Sequence, residues 1–354
     1  MRWPWSRQGL GEHMVLSWSD RSLTYVLACA YANGSCKVIK YGVENVGTDS
    51  MDELFQRLGG LVPKGVDVRV MLQPEQYQIV QIPAPAVAPE ELRSAARYQV
   101  REMLHAHMDD VTLDVMRVGD GRQKGGGHLF VVAATNAVIR DILDLGEAMR
   151  WSVSVIDIQE TAQRNLQNAF ASREGHVDRA SAALVLLDQH QALLTISAHG
   201  ELFYTRRFDF PEGFLASAFL QDKASLAANN ENEPAYSASA ALENASYPVG
   251  GLRPERIAEE MEEEDNAQRF LVEVQRSLDL WDRVWSDMPL RDLRVYAGRR
   301  SEALSAWLSS QLGQTVLPMD INSLFPEFEG GNPDARMRCL PLLGLLLRDE
   351  NRTL

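Results

Sequence analysis

Two stretches of the sequence each have the pattern of three consecutive β-strands joined by short turns. In the second stretch, residues 182–210, apolar runs at 183–187, 192–198 and 201–210 are separated by a polar turn and by a His-Gly turn. A comparable unit runs from residue 14 to residue 41, with turns at 19–21 and 33–35. Because one such unit opens each half of the chain, the sequence predicts a duplicated architecture.

After each unit, segments with helical spacing alternate with short apolar segments. In the first half the pattern predicts helices at 51–58, 137–150 and 160–171, and strands at 66–72, 128–134 and 151–157. In the second half it predicts helices at 266–285, 302–312 and 337–348, and strands at 293–297 and 315–321. Strands that alternate with helices of this length indicate a sheet with crossover helices, which is the α/β class.

Residues of about 75–120 interrupt the first half and predict a strand-helix-strand insert subdomain. An extended stretch at 78–85 ends in prolines, and Pro89 with two glutamates then starts a helix, as helix N-termini favour. Apolar residues recur at helical spacing as far as Leu104, and residues 111–118 alternate like a strand. We expect the sheet of the first lobe to resume at 128–134.

The length and the charge limit the classes of protein that the chain can belong to. A chain of 354 residues fits two lobes, and its net charge of −14 argues against a surface that binds nucleic acid. Much of that charge lies between residues 225 and 268, which carry ten acidic and two basic residues. The sequence predicts a tail at 1–12, a first lobe at 13–181 and a second lobe at 182–350, with an acidic, poorly ordered insertion at about 223–265.

Targeting signals give a further expectation about the cellular location. The N-terminus has positive charge without an apolar segment behind it, and the apolar run at 340–347 is far shorter than the ~20 residues that span a bilayer. The three cysteines have no metal-ligand spacing and suit a reducing compartment. We therefore expect a cytoplasmic protein without a membrane span and without a metal site.

Three short patterns follow one another along the chain. The first is Ile82-Pro83 followed by Pro89-Glu90-Glu91-Leu92 and Asp114, the second is Ile156-Asp157-Ile158 with Ala162, and the third runs from Leu343-Gly344-Leu345 to Arg348. In this order they resemble the insert subdomain, the strand-to-helix step and the closing helix of the PilM/MshI family of actin-like pilus-assembly proteins. The chain is also similar to the cytoplasmic domain of GspL from type II secretion. The resemblance implies an actin-like, FtsA/PilM-type fold of two related lobes with a cleft between them.

The residues at the nucleotide-binding positions of that family depart from its pattern. Nucleotide binding in an actin-like cleft needs tight turns that cradle phosphate and carboxylates that hold Mg²⁺. The first turn corresponds to residues 17–22, where Ser19 replaces the glycine and Asp20 is displaced, and the adenine-side Gly-Gly appears as Ala297-Gly298. The resemblance therefore implies a degenerate pocket without ATP, Mg²⁺ or catalysis, at these positions: Ser17, Ser19, Asp20, Asp188, Gln189, Ala297, Gly298 and Arg299.

In PilM-like proteins the tail of a membrane protein lies in a groove between the core lobe and the insert subdomain. Transferred to this chain, the groove would be walled by the predicted helix at 90–104 and the strand at 111–118, with these candidate contacts: Glu91, Tyr98, Arg101, Leu113 and Val115. The resemblance implies a non-catalytic scaffold of an MSHA-like type IV pilus machine, peripheral at the inner membrane of a Gram-negative bacterium. Its expected partners are the cytoplasmic tail of a PilN-like protein and the assembly ATPase. Two alternatives stay open: an ATP-binding protein with an atypical pocket, in which Asp20 and Asp188 serve the metal, and a GspL-like component that recruits a secretion ATPase.

Overall fold

The computed structural model describes residues 9–31, 36–47, 50–61, 66–119, 127–187, 190–217, 220 and 254–348. Within these residues, no helix is both long enough and apolar enough to cross a membrane. The predicted tail at 1–12 and insertion at 223–265 fall largely outside this part of the chain.

Two five-stranded sheets with the same strand order form the two lobes. The first contains β1 (Gly9–Ser19), β2 (Ser22–Tyr31), β3 (Cys36–Asn45), β4 (Asp67–Met71) and β8 (Ser152–Asp157), in the order β3-β2-β1-β4-β8. The second contains β9 (Ala180–Leu186), β10 (Gln191–Ala198), β11 (Glu201–Asp209), β12 (Leu290–Tyr296) and β13 (Val316–Pro318), in the order β11-β10-β9-β12-β13. In each sheet three antiparallel strands are followed by two parallel ones. The duplication predicted from the two strand triplets is confirmed.

Six helices pack on the two sheets. They are α1 (Met51–Leu61), α3 (Asn136–Met149) and α4 (Gln159–Glu174) in the first half, and α5 (Pro254–Val284), α6 (Ser301–Leu312) and α7 (Pro333–Leu346) in the second. Four of them, α1, α3, α5 and α6, cover the outer faces. Apolar side chains of α5 and α6 pack on the second sheet, and those of α1 and α3 pack on the first. The stripe on α5 that includes Phe270, Val274 and Trp281 lies in this core, as its helical spacing predicts.

The helices α4 and α7 lie between the two sheets and form a core that the lobes share. Although α4 follows the first sheet, it packs on β9, β10 and β11, while α7 packs on β1, β2 and β3. The shared core contains apolar residues from both sheets together with Leu166 of α4 and Leu343 of α7. Gln163 of α4 donates to the carbonyl oxygens of Ala183 and Leu193 at 2.9 and 3.1 Å. The amides of α4 thus bind the strands of the opposite lobe.

The two central helices meet where glycine leaves room for a carbonyl group. A Cβ atom added at Gly344 of α7 would overlap the main-chain carbonyl of Ala162 in α4. The C-terminal end of α7 is held by Arg69 of β4, which is 6% exposed and donates to the carbonyl oxygens of Leu345 and Arg348 at 3.1 and 3.4 Å. A cation is favourable here because carbonyl groups at a helix C-terminus lack intrahelical partners. Arg348 also forms an ion pair with Asp157, at 2.8 Å between Nη1 and Oδ2.

The insert subdomain is a three-stranded sheet covered on one face by a single helix. It comprises β5 (Tyr77–Pro83), α2 (Leu92–Gln99), β6 (Val111–Arg117) and β7 (His128–Thr135), with the strand order β5-β7-β6. The assignment of 128–134 to the sheet of the first lobe is therefore wrong, since β7 is the middle strand of the insert. A middle strand is buried on both faces, so its apolar run does not distinguish the two sheets.

Two helix boundaries also differ from those predicted. The helix predicted at 90–104 contains only α2 and a preceding 3₁₀ turn at Pro89–Glu91, because the chain leaves the helix at Val100. The helix predicted at 266–285 begins at Pro254, twelve residues earlier, because proline and acidic residues suit a helix N-terminus even without an apolar face.

The contact between the central helices predicts the effect of one added methyl group. Gly344→Ala should lower the free energy of unfolding by at least about 2 kcal/mol, because the backbone of α4 must shift to admit the Cβ atom. Denaturant titration of the full chain measures this change. The matched control is Gly60→Ala in α1, where the added Cβ meets nothing within 4 Å and should stabilise the protein by about 0.5–1 kcal/mol. Equal stability of Gly344→Ala and the wild type would contradict the tight crossing.

Candidate functional site

The first turn of the cleft holds its hydroxyl groups in internal hydrogen bonds. Ser17 is buried near the end of β1, where its Oγ donates to the carbonyl oxygen of Met71 at 2.6 Å and accepts from Nε2 of Gln73 at 2.9 Å. Ser19 Oγ accepts the main-chain N–H of Arg21 at 3.3 Å, and Asp20 is exposed at the tip of the turn. This turn therefore contains no glycine, and the carboxylate of Asp20 is exposed to solvent.

The second turn lies partly outside the described residues. Asp188 and Gln189 are among those not described, so their roles in the pocket stay predictions. On either side of them, the main-chain N–H of Leu187 donates to the carbonyl oxygen of Gln191 at 2.6 Å, which closes the hairpin from β9 to β10. His190 next to them has a positive φ of 59°.

The residues at the predicted adenine-side position, Ala297 and Gly298, are hydrogen-bonded to Ser301 at the start of α6. The buried N–H of Ala297 donates to Ser301 Oγ at 2.9 Å, and Ser301 Oγ donates to the carbonyl oxygen of Gly298 at 2.8 Å. Gly298 has a φ of 58°, a conformation that glycine adopts without strain. Arg299 is exposed, while Arg300 donates to the carbonyl oxygen of Leu220 at 3.3 Å. Neither arginine is among the residues that line the cleft described next.

Between the two turns only a small cavity of about 70 Å³ is left. Arg338 of α7 lies along it, donating to Ser22 Oγ and, at 3.4 Å, to Oδ1 of Asn45. Small-molecule sites usually enclose ~300–1,000 Å³, so this cleft is too small for a nucleotide in the present conformation. The sequence analysis missed Arg338, because it lies about 150 residues from the turn at 187–191 and belongs to no motif. Within the described residues, no group of three or more His, Cys, Asp or Glu side chains is arranged to hold a metal ion.

A much larger open groove, of about 490 Å³, lies between the insert subdomain, α4 and the second lobe. Its walls are β5 of the insert and β11 of the second lobe, and Glu160 of α4 lies between them. These residues line it: Pro74, Glu75, Tyr77, Ile79, Gln81, Phe130, Glu160, Gln191, Thr205, Arg206 and Arg207.

A buried polar cluster forms part of the wall of this groove. The Tyr77 hydroxyl donates to Oε2 of Glu160 at 2.5 Å, and Nη2 of Arg207 lies 3.0 Å from Oε1 of Glu160 and 3.2 Å from the Tyr77 oxygen. Burial and the nearby charge of Glu160 raise the pKa of Tyr77 well above its usual value. The cluster joins three parts of the fold, because these residues belong to β5, α4 and β11.

An apolar contact also joins the insert subdomain to the second lobe. Val118, Phe130 and Leu202 form a small buried cluster against which Trp285 packs. The N–H of Gly119 donates to the carbonyl oxygen of Leu202 at 2.9 Å. Gly119 has a φ of 64°, and the ring of Phe203 leaves no room for a Cβ atom there. The insert is thus fixed to the second lobe by a polar and an apolar contact.

The two elements predicted to wall the partner groove, the helix at 90–104 and the strand at 111–118, pack directly on each other within the insert subdomain. Leu113 and Val115 are 6% and 4% exposed in the core beneath α2. Glu91, Tyr98 and Arg101 are exposed on the outside of the insert. Side chains alternate across a sheet, so α2 and the open groove lie on opposite faces of the insert sheet. None of the five candidates lines the groove.

The polar cluster predicts how one hydroxyl group affects stability. Tyr77→Phe should lower the free energy of unfolding at pH 7 by about 1–3 kcal/mol, because the buried Glu160 loses a donor. Since the pKa of Tyr77 is raised on folding, its contribution is complete below pH ~10 and is lost as the pH rises further. The difference between variant and wild type should therefore shrink above pH ~10.

Denaturant titrations at pH 7 and at a pH above ~10 measure both effects. The matched control is Tyr98→Phe, since Tyr98 is 81% exposed and should change stability by less than about 0.5 kcal/mol. Equal destabilisation by the two substitutions would contradict the role of the cluster.

No protein-family model and no curated protein sequence matches this chain. Among solved structures, the PilM-PilN type IV pilus biogenesis complex matches with a TM-score of 0.63 and 16% identity, covering 95% of this chain and 97% of that chain. The cytoplasmic domain of EpsL, an inner membrane component of the type II secretion system of Vibrio cholerae, matches with a TM-score of 0.41 and 16% identity over 60% of this chain and 78% of that chain. A Bacteroides thetaiotaomicron protein with an actin-like ATPase fold and unknown function has a TM-score of 0.47 and 9% identity, with 96% of both chains covered.

The likeness to the PilM-PilN complex extends over nearly the whole of both chains and is a likeness of fold. It agrees with the two sheets of equal strand order and with the interposed helices α4 and α7. The chain therefore has the two-lobed actin-like fold with an insert subdomain that its sequence predicts.

Proposed function

We propose that this protein is a non-catalytic scaffold that binds the tail of a membrane protein in the groove beside its insert subdomain. The proposal rests on the difference in volume between the two concave sites. The groove has about 490 Å³ of open space, whereas the cleft between the phosphate turns has about 70 Å³. A docking function requires no catalytic group, so loss of the glycines from the turns is without consequence for it.

The fold suggests the kind of assembly in which the scaffold works. The similar structure is that of a complex between PilM and PilN in type IV pilus biogenesis. By analogy, the partner of this chain is the cytoplasmic tail of a PilN-like inner-membrane protein, and the pilus is of the MSHA type. The protein would then lie in the cytoplasm, peripheral to the inner membrane of a Gram-negative bacterium and held there through that partner.

The charge of the groove suits such a tail. Cytoplasmic segments next to a membrane span are rich in Lys and Arg. The whole chain carries −14, and in the groove Arg207 is paired with Glu160 and Arg206 with Glu273. Glu75 is exposed on the groove wall, without a described ion pair. A tail that carries positive charge therefore finds a complementary surface.

Two other functions compete with this one. In the first, the cleft opens and binds ATP, with Asp20 and Asp188 at the metal. In the second, the chain acts like GspL and recruits an assembly or secretion ATPase. The small volume of the cleft and the position of Arg338 favour the scaffold over the first alternative.

The scaffold function can be tested with a labelled peptide. The peptide has the sequence of the cytoplasmic tail of the PilN-like protein from the same genome. Fluorescence anisotropy with the full chain should show saturable binding. Glu75→Arg should weaken it about fivefold at low salt, because an attractive charge becomes repulsive. The matched control is Glu90→Arg, which changes the net charge equally but lies outside the groove and should leave the affinity within about twofold.

Thermal unfolding with millimolar Mg-ATP separates the scaffold from a nucleotide switch. A ligand at 100 times its dissociation constant stabilises the native state by about 2.7 kcal/mol, which gives a clear shift in Tm. We expect no shift with Mg-ATP and a clear shift with the tail peptide. A shift with Mg-ATP that Asp188→Ala abolishes, together with no binding of the peptide, would replace the scaffold by a nucleotide-binding function.

A further inference from the structure

The first 43 residues, which include β1, β2 and most of β3, have a charge opposite to that of the whole chain. They carry five basic and two acidic residues, whereas the chain as a whole carries 35 basic and 49 acidic residues. Two arginines and two tryptophans lie close together at positions 2–7, a segment that precedes the described residues: Arg2, Trp3, Trp5 and Arg7. Such an asymmetry of charge is typical of a chain that contacts an anionic surface.

The first sheet brings the start of β1 close to the start of β3. Gly9 of β1 pairs with Tyr31 of β2, and Ala30 of β2 pairs with Cys36, the first residue of β3. Neighbouring strands lie about 4.8 Å apart, so the starts of β1 and β3 are separated by about 10 Å across the sheet. A chain extends by at most about 3.6 Å per residue, so Trp5 can lie no farther than about 14 Å from Gly9. The segment at 2–7 and the first residues of β3 can therefore contact one surface.

A β-bulge turns an apolar side chain of β3 towards solvent. Lys40 pairs with Leu27 of β2 and Val38 pairs with Ala28, so Ile39 has no opposite residue in the ladder. Val38 is 3% exposed in the shared core, whereas Ile39 is 51% exposed and Lys40 is exposed as well. Side chains of a regular strand alternate between the two faces, so without the bulge Lys40 would share the buried face of Val38. The bulge thus presents an apolar and a basic side chain side by side.

A second lysine completes this surface on the other side of Ile39. The side chain of Lys37 is 53% exposed, and its Nζ lies 4.0 Å from Oε1 of Glu327, an exposed ion pair of little strength. Because β3 is the edge strand of its sheet, no further strand covers these residues. Lys37, Ile39 and Lys40 do not line the groove beside the insert. The edge strand therefore displays an apolar side chain between two cations, near the place where the segment at 2–7 joins the fold.

We propose that the segment at 2–7 and the start of β3 together bind the surface of a membrane that contains anionic lipids. Tryptophan side chains favour the interface between headgroups and acyl chains, and Lys and Arg are attracted to anionic headgroups. One such signal gives only weak, reversible binding, and stable attachment takes two. Trp3, Trp5 and Ile39 supply the apolar contact, and the basic residues on both sides of them supply the charge. This surface is separate from the groove, so it attaches the protein to lipid directly and independently of a partner's tail.

Co-sedimentation of the full chain with lipid vesicles, in the absence of any peptide, tests the membrane contact. The wild type should bind vesicles of equal parts phosphatidylcholine and phosphatidylglycerol at least about tenfold more tightly than vesicles of phosphatidylcholine alone. Trp3→Ser combined with Trp5→Ser keeps the charge but should weaken binding to the mixed vesicles at least about tenfold. Lys37→Glu combined with Lys40→Glu should weaken it to a similar extent, because two attractive charges become repulsive. The matched control is Arg269→Glu combined with Arg283→Glu, which changes the net charge equally on exposed positions of α5 and should bind within about twofold of the wild type.

Quenching of tryptophan fluorescence by lipids brominated on their acyl chains gives a second measurement. The wild type should lose fluorescence on mixed vesicles that contain these lipids, and the variant without Trp3 and Trp5 should keep it. Absence of vesicle binding by the wild type, or equal binding by the wild type and the tryptophan variant, would overturn the membrane contact. Equally tight binding of a DNA duplex to both proteins would also overturn it and assign the basic surface to nucleic acid. Affinity for the tail peptide should be unchanged in the lysine variant, since Lys37 and Lys40 lie outside the groove, so this proposal and the scaffold fail separately.

Discussion

The crossing of α4 and α7 between the two sheets is the contact on which the rest of the structure depends. Each helix follows the last strand of one lobe and packs on the strand triplet of the other. The close approach at Gly344 and Ala162 brings the sheets near enough to share one apolar core. Glutamines of α4 donate further hydrogen bonds to main-chain carbonyl groups of the second lobe and accept one from the buried hydroxyl of Thr195. The angle between the lobes is therefore set by side chains in their common core.

The positions of α4 and α7 determine which of their side chains line the two concave sites. Because α7 lies along the first sheet, its Arg338 reaches the hairpin between β1 and β2 and occupies the space between the phosphate turns. Because α4 lies along the second sheet, its Glu160 reaches both Tyr77 of the insert and Arg207 of β11. The same pair of helices thus lines both the small cleft between the hairpin turns and the larger groove beside the insert.

The local sequence pattern was sufficient to predict the main helices and strands, but it did not assign each strand to its sheet. The apolar runs in β9, β10 and β11 predicted three strands because short apolar runs bounded by turns are typical of buried strands. The run His128–Thr135 gave a strand equally well, yet the choice between the core and the insert depends on pairing with β5 and β6, which lie about 50 and 20 residues away. Likewise, apolar Leu113 and Val115 suit a groove wall and a buried face alike. Only the position of α2 over them decides between the two.

By itself the sequence determined the duplication, the α/β class and the actin-like order of elements. Each of these depends on residues close together in the chain, where backbone preferences and side-chain periodicity act directly. The tertiary structure alone decided that Arg338 lines the cleft, that Tyr77, Glu160 and Arg207 meet, and that β5 and β11 line one groove. These features join residues from separate elements and separate lobes, and their contacts are set by how the sheets and helices pack rather than by any local pattern.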